Sequence, residues 1–380
     1  MKSNYKPIGN YIKRIENRNQ DLKVMRLLGL SMTKEFRETT SNIVGTDMSV
    51  YRVMSKYQFA CDFMSPIRVN KLPVVLKLDD EPNLVSPAYP VFEIKDRDEL
   101  DPEYLMMWFR RTEFDRYATF KCDAAIRGGY EWDELCETLI PVPSITKQRE
   151  IIKEYNVIQN RIALNNQLIQ KLEETAKAIY KEWFVNFEFP NEKGEPYKRN
   201  NGIMIWNEEM QKEIPTEWKV DELEKIVLFK NGKTRPTQKG SIPVYGGNGI
   251  IEYVDKNNDE NIIAIGRVGA YCGSLYRVLG KCWISDNAIS AQSKIKNNMF
   301  TYYVLNDLKL NERSEGTGQP LITQSLLNNI RVIIPKGDVI NNFEKIALVI
   351  FKNQDILNLE NQKLCEMKEL LLSKIATIEN

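Results

Sequence analysis

The residue spacing with the most obvious chemical potential is Asp80 followed by Glu93-Ile94-Lys95. Two acids and a lysine in that order have the loose form of a metal-nuclease site, with the carboxylates holding Mg2+ and the lysine assisting the attacking water. So short a pattern arises easily in a chain that is 28% charged. A second fragment, Asn231-Gly232-Lys233-Thr234, ends like a phosphate-binding loop, but the position that must be glycine is Val227. The Asp/Asn-Pro-Pro-Tyr tetrapeptide expected of an amino-group methyltransferase is absent. Tyr245-Gly246-Gly247-Asn248-Gly249 neither follows a long hydrophobic strand nor opens a helix, so its glycines read as turns that let backbone approach a ligand. There is no histidine, which removes the commonest general base and metal ligand. The six cysteines, Cys61, Cys122, Cys136, Cys272, Cys282 and Cys365, form no CxxC pair. No metal site is expected from them, and they read as reduced thiols of a cytoplasmic protein.

Nucleic-acid contact is the other chemistry these residues suit. From Lys225 to Ile251 there are five basic residues and no acidic one, although the whole chain carries only +1. That stretch is either a basic groove for DNA or a solvated loop. Lys230, Lys233, Arg235 and Lys239 are candidate phosphate contacts. Tyr245, Asn248, Arg267, Tyr271 and Gln319 are candidate base-edge or groove contacts, since Arg forks onto guanine and Asn or Gln onto adenine. In the first half the candidates are Arg52, Lys56, Arg68, Tyr89 and Arg127. For each, a surface charge or turn residue is the alternative.

The elements that must position these residues are written twice. A heptad-patterned helix is expected from about Gln148 to Trp183, and another from about Phe343 to Ile378. The first carries Tyr155, Ile162, Ile169, Ala176 and Trp183; the second carries Ile350, Leu357, Leu364, Leu371 and Ile378. Each rung lies 195 positions from its counterpart, as Tyr155 from Ile350 and Trp183 from Ile378. Five rungs in one register imply a duplicated unit. The first seam breaks once, at Asn165, which either fixes register or faces solvent. In the second helix the other seam positions, Ala347, Gln354, Asn361, Lys368 and Ile375, are mixed. The strand-proline junction Leu135–Pro143 also has a counterpart, Asn329–Pro335, offset by 192 from Pro143 to Pro335.

A length of 380 residues suggests two or three domains, and 42% hydrophobic content fills ordinary cores. No apolar run is long enough for a membrane span, and the first residues lack a signal-peptide core. Short strands are expected at Val50–Met54, Leu72–Leu78, Tyr89–Ile94, Ile242–Tyr245 and Ile262–Ile265, with an amphipathic helical stretch from Pro102 to Tyr117. The expected order is a globule at 1–145, a long helix at 146–187, a polar linker at 188–214, a globule at 215–337 and a second long helix at 338–380. The class is α+β: two globular α/β units separated by two long helices that pair as an antiparallel coiled coil with a pseudo-two-fold repeat.

Several motifs resemble the specificity subunit of Type I restriction–modification systems. Pro141-Val142-Pro143 with Gln148-Arg149-Glu150-Ile151-Ile152 is similar to that family's strand-to-helix junction. The stretch from Phe189 to Trp218 is similar to its linker. Ile242–Ile250, Gly266–Gly273 and Ile284–Ala288 resemble its target-recognition domains, as does Ser86–Phe92 in the first half. The resemblance covers essentially the whole chain, with Met1 to Arg37 its least distinctive part. It implies a non-catalytic reader of double-stranded DNA whose two target-recognition domains, 1–145 and 215–337, each read half of a split, asymmetric sequence. The paired helices would set the spacer and dock two methyltransferase subunits, and restriction subunits would join them. It implies no cofactor here: S-adenosylmethionine, ATP and Mg2+ would serve the partners. A helix of about 36 residues is roughly 54 Å long, and half-sites one DNA turn apart are separated by about 34 Å, so the implied scale is workable.

Overall fold

The computed structural model describes residues 5–39, 45–123, 130–315 and 320–378. The chain divides into two units, Met1–Asn165 with Leu359–Asn380, and Asn166–Asn358, so the division falls inside both long helices.

In the first unit, Tyr5–Pro7 pairs antiparallel with Leu139–Pro141, and the following tight turn is locked by Ile8 N donating to Thr138 O at 2.8 Å. The chain then enters an antiparallel sheet in the order Ile12–Ile15, Val91–Ile94, Gln58–Cys61, Val74–Leu76. Phe59 and Phe92, on neighbouring strands, stack at 4.9 Å in its core. The helix Pro102–Phe109 starts where Asp101 accepts a hydrogen bond from Glu103 N and Pro102 needs no donor. The expected single amphipathic stretch is in fact two helices, Pro102–Phe109 and Thr112–Asp123. The first is buried on every side except at Glu103, because a helix apolar all round fills a core rather than covering one.

The second unit repeats this path. Lys219–Glu222 pairs antiparallel with Arg331–Ile334, and Leu223 N donates to Ile330 O at 2.8 Å. The sheet runs Val227–Asn231, Ala288–Ser293, Ile263–Gly266, Leu275–Arg277, again antiparallel throughout. The helix Asn298–Asp307 packs on it. The duplication therefore extends beyond the ladders to a shared frame in each globule, which the sequence reading did not reach.

What differs is inserted between frame strands. The first unit has two two-stranded pairs, Leu28–Leu30 with Phe36–Glu38 and Arg52–Met54 with Asn83–Val85. The second has a four-stranded sheet in the order Gly249–Val254, Lys239–Gly246, Lys281–Ile284, Asp259–Glu260. The stretch read as a linker is also folded. Met204–Asn207 and Lys212–Pro215 form a hairpin, and Phe189 stacks on Tyr197 at 4.5 Å and on Trp218 at 5.0 Å.

The long helices are Ile145–Tyr180, which ends in a π turn at Lys181–Val185, and Gly337–Lys374. They pair antiparallel within each unit. In the first, Arg161 forks onto Glu360 at 2.8 and 3.1 Å, while Ile151, Ile152 and Tyr155 share a core with Leu372 and Ile375. In the second, Gln354 Nε2 donates to Ile169 O at 3.1 Å, and Tyr180 meets Phe343 at 5.9 Å. Asn165 is 1% exposed and donates to Glu360 and Asn361, so the polar break lies inside the seam. On the second helix the mixed set is the better buried one: Ala347, Gln354 and Ile375 are buried, whereas Ile350, Leu357, Leu364, Leu371 and Ile378 are half-buried. Among the described residues no helix is long and apolar enough to cross a membrane.

The junction motif at Gln148 also has a physical role. This side chain is fully buried, accepts from Asp101 N at 2.9 Å, and donates to Glu99 O at 2.9 Å and Pro143 O at 2.8 Å. It ties the long helix to the cap of the buried helix. In the second unit Glu344 serves the same junction, accepting from Met299 N at 3.1 Å and Phe300 N at 2.9 Å.

Candidate nucleic-acid interface

Four stretches distant in sequence are stitched together in the second unit by backbone hydrogen bonds. Gly232 N donates to Ala288 O at 3.0 Å and Lys233 N to Ile284 O at 2.9 Å. Ser285 N donates to Tyr245 O, and Arg267 N to Asn287 O, both at 3.0 Å. The motif pieces 231–233, 245–249, 266–268 and 284–288 thus form one loop cluster. Two glycines are required by close approach rather than by turn geometry. A Cβ on Gly232 would sit 1.8 Å from Ser285 O, and one on Gly266 would sit 2.3 Å from Tyr271 O.

The cluster and its adjoining strands display the expected side chains unequally. Lys230, Lys233, Lys239, Asn248 and Tyr271 are exposed. Arg235 is exposed too, but it pairs with Glu252 at 2.9 Å. Tyr245 is half-buried, and burial raises its phenol pKa, which keeps it a neutral hydroxyl. Arg267 is held by its backbone on both sides, since its carbonyl also accepts from Ile322 N at 2.9 Å. Its Nε is shielded from solvent and has no acceptor among the described residues, an unusual state for a strong donor. Trp283 was not singled out by spacing, yet its Nε1 donates to Lys233 O at 3.1 Å and fixes the basic loop. Its one signal in the sequence is the alternation of the strand Lys281–Ile284, buried at Cys282 and Ile284.

The first-unit candidates stand differently. Arg52 is buried, and its guanidinium is committed to Glu16 at 2.7 Å and to Pro87 O at 3.1 Å, so it serves the insert's own structure. Lys56 pairs with Asp80 at 3.0 Å. Tyr89 is half-buried against the small core around Leu30, Met54 and Val85. Arg68 is exposed in the last turn of Ser65–Val69. Arg127 and Gln319 lie outside the described residues.

The nuclease triplet is not assembled. Asp80 pairs with Lys56, Glu93 takes Lys13 at 3.0 Å and Gln58 at 3.1 Å, and Lys95 donates to Gly9 O and Asn10 O. Burial would raise the Glu93 carboxyl, but those two donors outweigh it and hold the pKa low. Each member is thus occupied by a different partner. Among the described residues no three Cys, Asp or Glu side chains group so as to hold a metal ion.

A family model described as the Type I restriction modification DNA specificity domain matches residues 215–369, which include the whole loop cluster. Over that segment the chain is similar to the DNA specificity domain of Type I restriction–modification systems. It is 23% identical over 317 residues to the MjaIX specificity subunit of Methanocaldococcus jannaschii, covering 73% of this chain and 69% of that one. A second specificity subunit, EcoprrI of Escherichia coli, is 30% identical over 95 residues, 24% of each chain. In fold, the chain resembles the crystal structure of the S subunit from M. genitalium, with a TM-score of 0.59 at 15% identity, covering 99% of this chain and 96% of that one.

Proposed function

We propose that this chain reads a bipartite, asymmetric DNA sequence for a Type I restriction–modification complex. Residues 1–145 and 215–337 each take one half-site, the paired helices at 146–187 and 338–380 set the unread spacer, and 188–214 joins the halves. Two methyltransferase subunits dock on the chain, and restriction subunits complete the assembly in the cytoplasm. Methyl transfer, ATP hydrolysis and cleavage belong to those partners, along with S-adenosylmethionine, ATP and Mg2+.

The observation that carries this reading is the loop cluster of the second unit. Lys230, Lys233 and Lys239 offer sequence-independent phosphate contacts, while Asn248, Arg267, Tyr245 and Tyr271 offer base-edge chemistry. Backbone bonding holds the loops in place, so little ordering entropy is left to be lost on binding. In the first unit Arg68 and Arg127 remain the basic candidates, and Lys56 and Tyr89 contribute once their present partners are exchanged.

The test is a shift assay of the chain reconstituted with its methyltransferase on a randomised DNA pool. The expected product is one split motif with two unlike halves at fixed separation. Recovery of no motif, or of a single uninterrupted one, refutes the proposal.

A further inference from the structure

Arg277 closes the frame sheet of the second unit, at the end of the strand Leu275–Arg277. Its side chain is half-buried. The guanidinium lies over two rings, 4.0 Å from the Phe351 centroid and 4.8 Å from that of Tyr302. One nitrogen reaches Gln354 Oε1 at 3.1 Å and Glu173 Oε2 at 3.4 Å. Gln354, only 3% exposed, passes the connection on by donating to Ile169 O at 3.1 Å and to Glu173 at 3.3 Å. One side chain of the recognition sheet thereby grips both long helices, Glu173 on the first and Gln354 and Phe351 on the second.

The residue beside it points at the reading loop. Tyr276 has its ring 6.4 Å from that of Tyr245, and a Cβ on Gly249 would come within 3.2 Å of it. Gly249 turns the chain at φ +80°, next to Asn248. The hairpin carrying Tyr245 and Asn248 therefore rests on the strand that Arg277 bolts to the helices. Set over two rings, paired and hydrogen-bonded at once, Arg277 uses the broad delocalised cation that lysine lacks.

We infer that Arg277 is a positioning residue that fixes the reading hairpin against the helix pair, so that it governs the tolerated spacer length and not the bases read. This rests on the bipartite reading proposed above. A loosened hairpin would still meet its own half-site but would reach it over a wider range of separations.

Two measurements test it. In the first, the full complex is titrated with duplexes that keep both half-sites and carry the natural spacer or one base pair more or less. Arg277→Met should keep natural-spacer binding within a few-fold while shrinking the penalty for the altered spacer about tenfold, the scale of one charged hydrogen bond. Arg277→Lys, which keeps a charge near Glu173 but loses the delocalised guanidinium over the two rings, should show an intermediate penalty. An unchanged spacer penalty in both variants, or equal losses on every duplex, overturns the role. In the second, hydrogen exchange on the full chain needs no DNA. Arg277→Lys should speed exchange at 245–254 by about tenfold and leave 331–334 unchanged. If wild type recovers no split motif, the bipartite reading fails, and the exchange result alone decides whether Arg277 holds the hairpin. Uniform exchange across both segments refutes the latch.

Discussion

Lys233 offers the sharpest quantitative test of the interface. Its backbone is pinned at both ends, by Lys233 N to Ile284 O at 2.9 Å and by Trp283 Nε1 to Lys233 O at 3.1 Å, while its side chain is exposed. Lys233→Ala thus removes a charge without loosening the loop. Each phosphate neutralised contributes about 0.9 to the slope of log affinity against log salt. Between about 50 and 200 mM salt, a fourfold change, one such contact is worth roughly 3.5-fold in affinity. Lys233→Ala should therefore flatten the slope by about 0.9 and weaken cognate and random DNA alike. Arg235→Ala should do less, because Glu252 at 2.9 Å already offsets part of that charge. Glu252→Gln should steepen the slope by freeing Arg235. The assay is fluorescence anisotropy of the reconstituted complex across a salt series. An unchanged slope in Lys233→Ala, or a larger effect from Arg235→Ala than from Lys233→Ala, refutes the assignment.

Other outcomes follow from single contacts. Arg267→Lys should cost about 1–3 kcal/mol of discrimination at one base pair while leaving the salt slope alone, read by selection on a randomised pool; a uniform loss over all positions argues against base contact. Gln148→Leu strands three backbone groups at the first junction and should lower unfolding stability by about 3 kcal/mol in urea melts, whereas a loss under about 1 kcal/mol shows that water replaces Gln148. Burial lifts the Glu344 carboxyl above its ordinary 4.5, against the pull of the Phe300 and Met299 amides. Protonation is then easier folded than unfolded, so this stabilising contribution is full below 4.5 and is lost as pH rises through the folded value. Wild type should accordingly gain on Glu344→Gln as pH falls from about 7, and thermal melts showing a constant or opposite gap refute it.

The parts of the fold that showed in the sequence are those with a period. Tyr155, Ile162 and their counterparts stand out because large residues every seven positions resist chance. The buried seam of the second helix was harder to see, because Gln354 is polar and is satisfied by Ile169 and Glu173 on the other helix. The repeated frame was invisible for a different reason. Its offset drifts from 215 at Ile8 and Leu223 to 195 in the ladders, as inserts of different length intervene. At the site, glycines marked the loops because backbone crowding leaves no room for a side chain, as at Gly232. The commitment of Arg52 to Glu16, a partner 36 residues away, cannot be seen from spacing.

A reader that changes its target must vary its loops without disturbing its frame, and both units meet that demand with an anchored cation. In the second unit Arg277 grips the helices from the frame sheet. In the first, Lys34 reaches from the variable hairpin into the frame, bonding Phe109 O and meeting Asp115 at 2.8 Å. Asp115 also accepts from Leu72 N at 3.0 Å, so the same carboxylate ties the insert to the approach of a frame strand. Burial lowers the Lys34 pKa, and Asp115 opposes that shift and keeps the ammonium in place. A buried cation held by one carboxylate is costly to misplace, since an unpaired charge in a core is worse than none. Such an anchor allows one seating of the insert while leaving the exposed residues beyond it free to differ. That division explains how the same strand order supports two two-stranded pairs in one unit and a four-stranded sheet in the other.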